Sequence, residues 1–232
     1  MRKPYEVSME IAGPAAMFTR PDTGAAPVSY PAPTYSAAKG MFESIARLKS
    51  AYIRPTRAEI CAPLQFHRYT TNYGGPLRKS NQISKGSSYQ LIATILVDVC
   101  YRIYGVVEEF YKPAMDHSIT KQTYERLRSK GHSDAEAQRL VGCGVSANHL
   151  HHLQEIFEWR LKRGKCYHVP CLGWKEFTPS YFGPFRIETQ RHTTINEEIP
   201  SMLFSVFDNE GKHAPNFKQN VEIREGALCY VK

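Results

Sequence analysis

The 232-residue sequence predicts an α+β fold built on a mainly antiparallel sheet, and three observations carry that prediction. Residues 88–110, SYQLIATILVDVCYRIYGVVEEF, form a long run of β-branched and aromatic residues that reads as the central strand. Two stripes of helical period lie on either side of it in sequence: Ala38, Phe42, Ile45 and Leu48, then Leu150, Leu153, Phe157 and Leu161. From Tyr167 to the end, short apolar runs alternate with Gly, Pro and Asn turns, the pattern of an all-β segment. With 42% hydrophobic residues the chain buries a substantial core, roughly 70% of its unfolded surface for this length. That composition excludes a disordered chain, and no stretch approaches the ~18 apolar residues of a membrane span.

Taken in order, YEVSMEIA at 5–12 alternates apolar and polar residues as a half-buried strand does. Gly13–Pro33 holds five prolines and two glycines and reads as a long loop, a candidate binding feature or a mobile segment. Thr34 is placed to cap a helix through YSAAKGMFESIARL. Residues 52–66, interrupted by Pro55 and Pro63, suggest an edge strand and a turn. The polar, Gly-rich segment YTTNYGGPLRKSNQISKGSS at 69–88 carries Tyr69, Tyr73, Arg78, Lys79 and Lys85. Such a mixture suits RNA contact, since cations engage phosphates and tyrosine rings stack on bases; a solvated hairpin tip is the alternative. The central strand is expected to bend or break near Gly105. Helical, charged sequence follows over 113–144, with a capping box at Ser133 and Glu136, and Asn148 is placed to cap a second helix that Gly164 ends. SMLFSVFD at 201–208 and ALCYV at 227–231 read as late strands.

The net charge of +8 is segregated. Residues 39–85 carry +7 and residues 160–191 carry +5, so the rest of the chain sums to −4. Segregated positive charge suits a polyanion, because each cation that neutralises a phosphate releases condensed counterions. Candidate RNA-binding residues are therefore Lys39, Arg47, Lys49, Arg78 and Lys79 in the first block and Arg160, Arg163, Lys165 and Lys175 in the second, with Arg20 in the long loop. The expectation is that the two blocks converge into one trough for a ribose-phosphate chain. Charged residues at the start, where an export signal would be apolar, and six cysteines without a CxxC pair point to a cytoplasmic protein with reduced thiols.

Chemistry concentrates in NHLHHLQEIFEWRLKRGKCYH, 148–168. On a helix His149 and His152 lie i,i+3 and His151 and Glu155 lie i,i+4, a spacing that permits a metal site, although the run is not HExxH and lacks a fourth ligand at a suitable offset. A metal-independent use fits better: a neutral histidine accepts a proton from a ribose 2'-OH while nearby cations stabilise the phosphorane. An exposed helix face whose histidines bind only water is the remaining alternative. Walker loops, GxSxG elbows and GxGxxG fingerprints are missing from the sequence, so no cofactor is implied.

FTRP at 18–21, VSYP at 28–31, TYSAAKG at 34–40, KCYHVPCLGWKEF at 165–177, MLFSVFD and NVEIREGALCYV together, in this order, resemble the Cas-five family of CRISPR-associated proteins, type I-C (Dvulg) subtype. The resemblance implies a ferredoxin-like, RRM-like domain over 1–165 with a helical insertion at about 113–147, and a small antiparallel β-sheet domain over 166–232. It implies a Cascade subunit that grips the 5' handle of the CRISPR RNA beside backbone and large subunits, meets target DNA through the complex, and touches no membrane. It further implies cleavage of the repeat without metal through 2'-OH attack. The family pattern puts an aromatic just after the Ser-Ile that ends the first helix, where this chain has Ala46, and a Lys-His pair near His151 and His152. By that resemblance the catalytic candidates are His152, His151 and Tyr52, the aromatic nearest to Ala46.

Overall fold

A computed structural model describes residues 5–48, 50–75, 78–109, 124–131, 133, 149–207 and 213–230. Its strands are β1 (Glu6–Ala16), β2 (Ala51–Ile60), β3 (Phe66–Tyr73), β4 (Tyr89–Glu109), β5 (Tyr181–Gly183), β6 (Glu197–Phe207), β7 (His213–Arg224) and β8 (Ala227–Cys229). Among the described residues the helices that pack with them are α1 (Tyr35–Ile45), the short α2 (Ser80–Ser84) and α3 (His149–Lys162). The strands form one eight-stranded sheet in the order β5-β1-β4-β2-β8-β7-β6, with β3 pairing β4 off that path. Every pairing is antiparallel.

The 21-residue β4 is the strand on which the others are registered. Its C-terminal half lies between β1 and β2, and its N-terminal half carries β3 on the edge that β2 occupies further along. The strand does not break at Gly105. A Cβ there would stand 2.7 Å from Ile53 Cγ2 and 3.0 Å from the Phe42 ring, so glycine lets α1 sit directly on the sheet. The irregularity comes instead at Asp98, which takes φ 52° opposite Pro14, where the ladder skips a pair. Proline has no N–H to give, so the strand tolerates it where its partner residue turns away.

Two sequence expectations are corrected by these pairings. Residues 13–33 are not one long loop: β1 runs through Gly13 and Pro14 to Ala16, and Met17, Phe18, Tyr30 and Ala32 are buried, while most of residues 21–26 are exposed. Apolar residues between the prolines carry the packing. Nor is β2 an edge strand. It lies between β4 and β8, and Pro55 is accommodated by a register shift between Pro55 and Arg57. The polar segment at 69–88 also holds more structure than a loop, since β3 enters it and α2 forms its tip. Of the helical region at 113–147, only a helical stretch at 124–129 and a few neighbours are described; Glu136 and Asn148 lie outside the described residues.

The helices follow their apolar stripes, except that α1 ends at Ile45, where Ala46 turns extended, and leaves Leu48 outside it. Thr34 Oγ1 accepts the Ala37 N–H at 3.2 Å and starts α1, whose Ala38, Met41, Phe42 and Ile45 are buried. On α3, Leu153, Phe157 and Leu161 are buried, the Phe157 ring lies 5.6 Å from that of Phe42, and Gly164 at φ 60° ends the helix. Both stripes cover the sheet face that carries Val7, Met9, Ile11, Ile53 and Ile103.

The opposite face is polar and is held by a carboxylate. Glu10 is 0% exposed, yet it accepts from Arg186 Nε at 2.6 Å, the Arg186 backbone N–H at 3.1 Å, Arg102 Nε at 3.3 Å and Thr189 Oγ1 at 2.5 Å. This fastens the 184–191 segment across the sheet. Burial pushes the Glu10 carboxyl up, but the bonds from Thr189 and Arg186 outweigh it and hold the group below its ordinary value. A depressed folded-state value stabilises the fold above the unfolded carboxyl range, about 4.3, and that contribution disappears as pH falls through the folded value. Glu10→Ala leaves two guanidinium groups without their partner and is expected to cost about 3–5 kcal/mol in urea unfolding at pH 7. The gap between wild type and variant should close on acidification below pH ~4.

Candidate nucleic-acid interface

Two of the sequence-predicted catalytic residues begin α3. His151 Nε2 lies 3.0 Å from Glu155 Oε1, and its ring centroid is 6.1 Å from that of Tyr5. When Nε2–H donates to Glu155, Nδ1 is left with a lone pair that can accept a proton. His152, the next residue, is exposed. Tyr5 O accepts the Val107 N–H, and on the far side of β4 Tyr52 is registered with Glu108. At two strand spacings, the Tyr5 and Tyr52 backbones are therefore about 10 Å apart at the same end of the sheet.

Tyr52 stands on the polar face. Positions 52 and 54 alternate with Ile53, which packs toward Phe42 and α1. Tyr52 OH donates to Glu108 Oε2 at 3.0 Å while Arg54 Nε donates to Oε1 at 2.7 Å. Lys39, 3.7 Å from Glu43, lies 5.2 Å from the centroid of the Tyr52 ring. Burial, followed by the bond to Glu108 and its charge, pushes the Tyr52 phenol up to about 12. It stays protonated at neutral pH, with its proton committed to Glu108. Glu108→Gln removes the charge and leaves the burial, so one tyrosine should titrate between about 12 and the ordinary ~10 in an ultraviolet pH titration, read as a difference against Tyr52→Phe.

The cations form two groups. Arg160 donates to Ile45 O at 2.9 Å, which sets it beside the exposed Arg47 just past α1. Arg163 and Lys165 lie 4.7 and 5.2 Å from the centroid of the Trp159 ring, and Trp159 is 48% exposed. With Lys39, these mark the end of the sheet where β2 begins opposite Glu109. Arg78 and Lys79 stand at the other end of β4, at the tip beyond Tyr89. Arg20, paired with Asp22 at 2.7 Å, and Lys175, next to the Trp174 that donates to Thr19 at 2.8 Å, belong to that second half. Arg47 and Arg163 stand toward one end of β4 and Arg78 and Lys79 beyond the other, twenty residues apart along a strand that bends at Asp98. Lys49 lies outside the described residues.

Among the described residues, no three His, Cys, Asp or Glu side chains gather to hold a metal ion. The sequence reading overlooked Glu108, which holds Tyr52 and Arg54, and Trp159, which gathers two cations. The spacing of Trp159 and Arg163, one turn apart on a helix, is the signal that could have found the latter.

A family model described as CRISPR-associated protein (Cas_Cas5), in its Cas5d form, matches residues 7–224. The chain belongs to this Cas5 family. Two curated relatives are both named CRISPR pre-crRNA endoribonuclease Cas5d. That of Mannheimia succiniciproducens is 24% identical, over 96% of this chain and 93% of its own length. The Thermus thermophilus relative is 28% identical, over 92% of this chain and 79% of its own. Among solved structures, one described as the crystal structure of a CRISPR-associated protein superposes with a TM-score of 0.62 at 14% identity, covering 98% of this chain and 92% of that one. The fold of that protein thus extends over almost the whole chain. No helix among the described residues is long and apolar enough to cross a membrane.

Proposed function

We propose that this Cas5 protein is a Cascade subunit of type I-C that grips the repeat-derived 5' handle of the CRISPR RNA and cuts pre-crRNA within the repeat without a metal ion. The family match over residues 7–224, with two relatives named as pre-crRNA endoribonucleases, carries the reading. In the chemistry that fits, Nδ1 of His151, or His152 beside it, takes the proton of a ribose 2'-OH. The 2'-oxygen then bonds to the adjacent phosphorus, the P–O5' bond breaks, and the leaving oxygen is protonated. Products are a 2',3'-cyclic phosphate and a 5'-hydroxyl. Arg47, Arg160 and Lys39 supply positive charge at the same end of the sheet for the phosphorane.

The finer parts of this reading are a ferredoxin-like, RRM-like unit, cytoplasmic location, contact with backbone and large subunits, and target DNA met through the complex. The order β5-β1-β4-β2, with α1 after β1 and α3 after β4, supports the ferredoxin-like description; β5 comes from beyond residue 165. A second reading, a noncatalytic scaffold that caps the RNA 5' end, is favoured by one observation. The residue where the family pattern has an aromatic is Ala46, only 1% exposed at the C-cap of α1, and Tyr52 holds its proton on Glu108.

Purified protein mixed with repeat RNA in EDTA separates the two. Cleavage to a 2',3'-cyclic phosphate is expected, with the rate reduced about 10²–10⁴-fold by combined His151→Ala and His152→Ala while RNA affinity holds. Intact RNA that is nonetheless bound tightly and in a salt-dependent way would establish the scaffold instead.

A further inference from the structure

The long proline-rich segment and the polar segment at 69–88, each a candidate binding feature in the sequence, meet in the fold. They form the two walls of an open cleft of about 520 Å³ at the tip of the β3–β4 ribbon, lined by Ala25, Lys79, Asn81, Gln82 and Tyr89. That volume falls within the ~300–1,000 Å³ of small-ligand clefts.

Hydrogen bonds within the protein tie down both walls. Thr94 N–H donates to Pro27 O at 2.8 Å and Ser29 N–H to Thr94 O at 2.9 Å, which ties the first wall to β4, and Gly24 at φ 60° turns it toward the tip. In the second wall Arg78 closes the turn, donating to Gly75 O at 3.3 Å and to Ser87 O at 3.0 Å. Gln82 Oε1 accepts the Lys79 backbone N–H at 2.9 Å, so its Nε2 hydrogens remain to give. Among the described residues no acidic side chain lines the cleft, and Ala25 is the only aliphatic one. A nucleotide would find a ring to stack on in Tyr89, an amide with adjacent donor and acceptor in Asn81, and an ammonium for its phosphate in Lys79.

We propose that this cleft holds one unpaired nucleotide of the bound RNA and reads its base, at the end of β4 remote from His151 and Tyr52. The proposal rests on the RNA-binding reading and adds a base-specific subsite to it. An Asn amide pairs best with adenine, so adenine is the expected base.

The test is an abasic scan. Each single-stranded position of the repeat RNA is replaced in turn by an abasic nucleotide, and dissociation constants are measured with wild type, Asn81→Ala, Asn81→Ala/Tyr89→Leu and the control Ile83→Ala, an exposed residue of α2 outside the cleft lining. At one position the abasic change is expected to weaken wild-type binding about tenfold, the double variant to weaken binding of intact RNA by a similar factor, and the two together by no more than either alone. Asn81 is exposed, so its single substitution keeps the fold and should show the same coupling in part. Losses that multiply at every position would overturn the nucleotide subsite and leave RNA binding standing. Failure of the wild type to bind intact repeat RNA would bring down the broader reading, and the subsite with it.

Discussion

The continuity of β4 is the constraint on which the rest of the molecule depends. One uninterrupted strand, bent at Asp98, pairs with β1, β2 and β3 and so fixes the register of everything hung on them. Because α1 rests on Gly105 and α3 rests on α1 through Phe42 and Phe157, the histidines, Tyr52 and the Arg47–Arg160 group are assembled at its C-terminal end. Because β3 and α2 extend from its N-terminal end, a second group of cations is carried a long way from the first. A ligand that engages both must be long and flexible, which suits single-stranded RNA better than a compact substrate.

Position on the sheet also decides which charges are free. Three carboxylates of the polar face are clamped by arginine or tyrosine. Glu10 takes Arg102 and Arg186, and Glu108 takes Arg54 and Tyr52. Glu59 takes Arg57 at 3.2 Å, Arg191 at 3.8 Å and the Tyr104 hydroxyl at 2.8 Å. Several cations of both basic blocks are thereby spent on internal ties, while Arg47, Lys79 and Lys175 stand exposed. Arg20 and Lys39 have only exposed or half-exposed carboxylate partners, and such pairs are weak enough to exchange for a phosphate.

Much of this was legible in the sequence. The strand at 88–110, the Thr34 cap and both helical stripes follow from local chemistry that tertiary packing leaves intact. Pro14 and Pro55 misled because a proline excludes a ladder bond only at its own position, and a skipped pair or a bulge absorbs that loss without ending the strand. Counting charges along the chain says nothing about distance through the fold, and the two halves of the first basic block lie at opposite ends of β4. The carboxylates that clamp arginines were hidden because their partners are distant in sequence, Glu10 and Arg186 being 176 positions apart. His151 and Glu155, four apart on one helix, were visible for the converse reason.

The central claim is that one RNA strand runs the length of β4, from the α2 tip to the end where α1 and α3 finish. Ultraviolet crosslinking of repeat RNA to the whole protein, with the linked peptides identified by mass spectrometry, tests it most directly. The account predicts crosslinks both at Tyr89 or its α2 neighbours and at Trp159, each suppressed by added salt. Crosslinks confined to one end, or gathered on the β6–β7 hairpin, would contradict it.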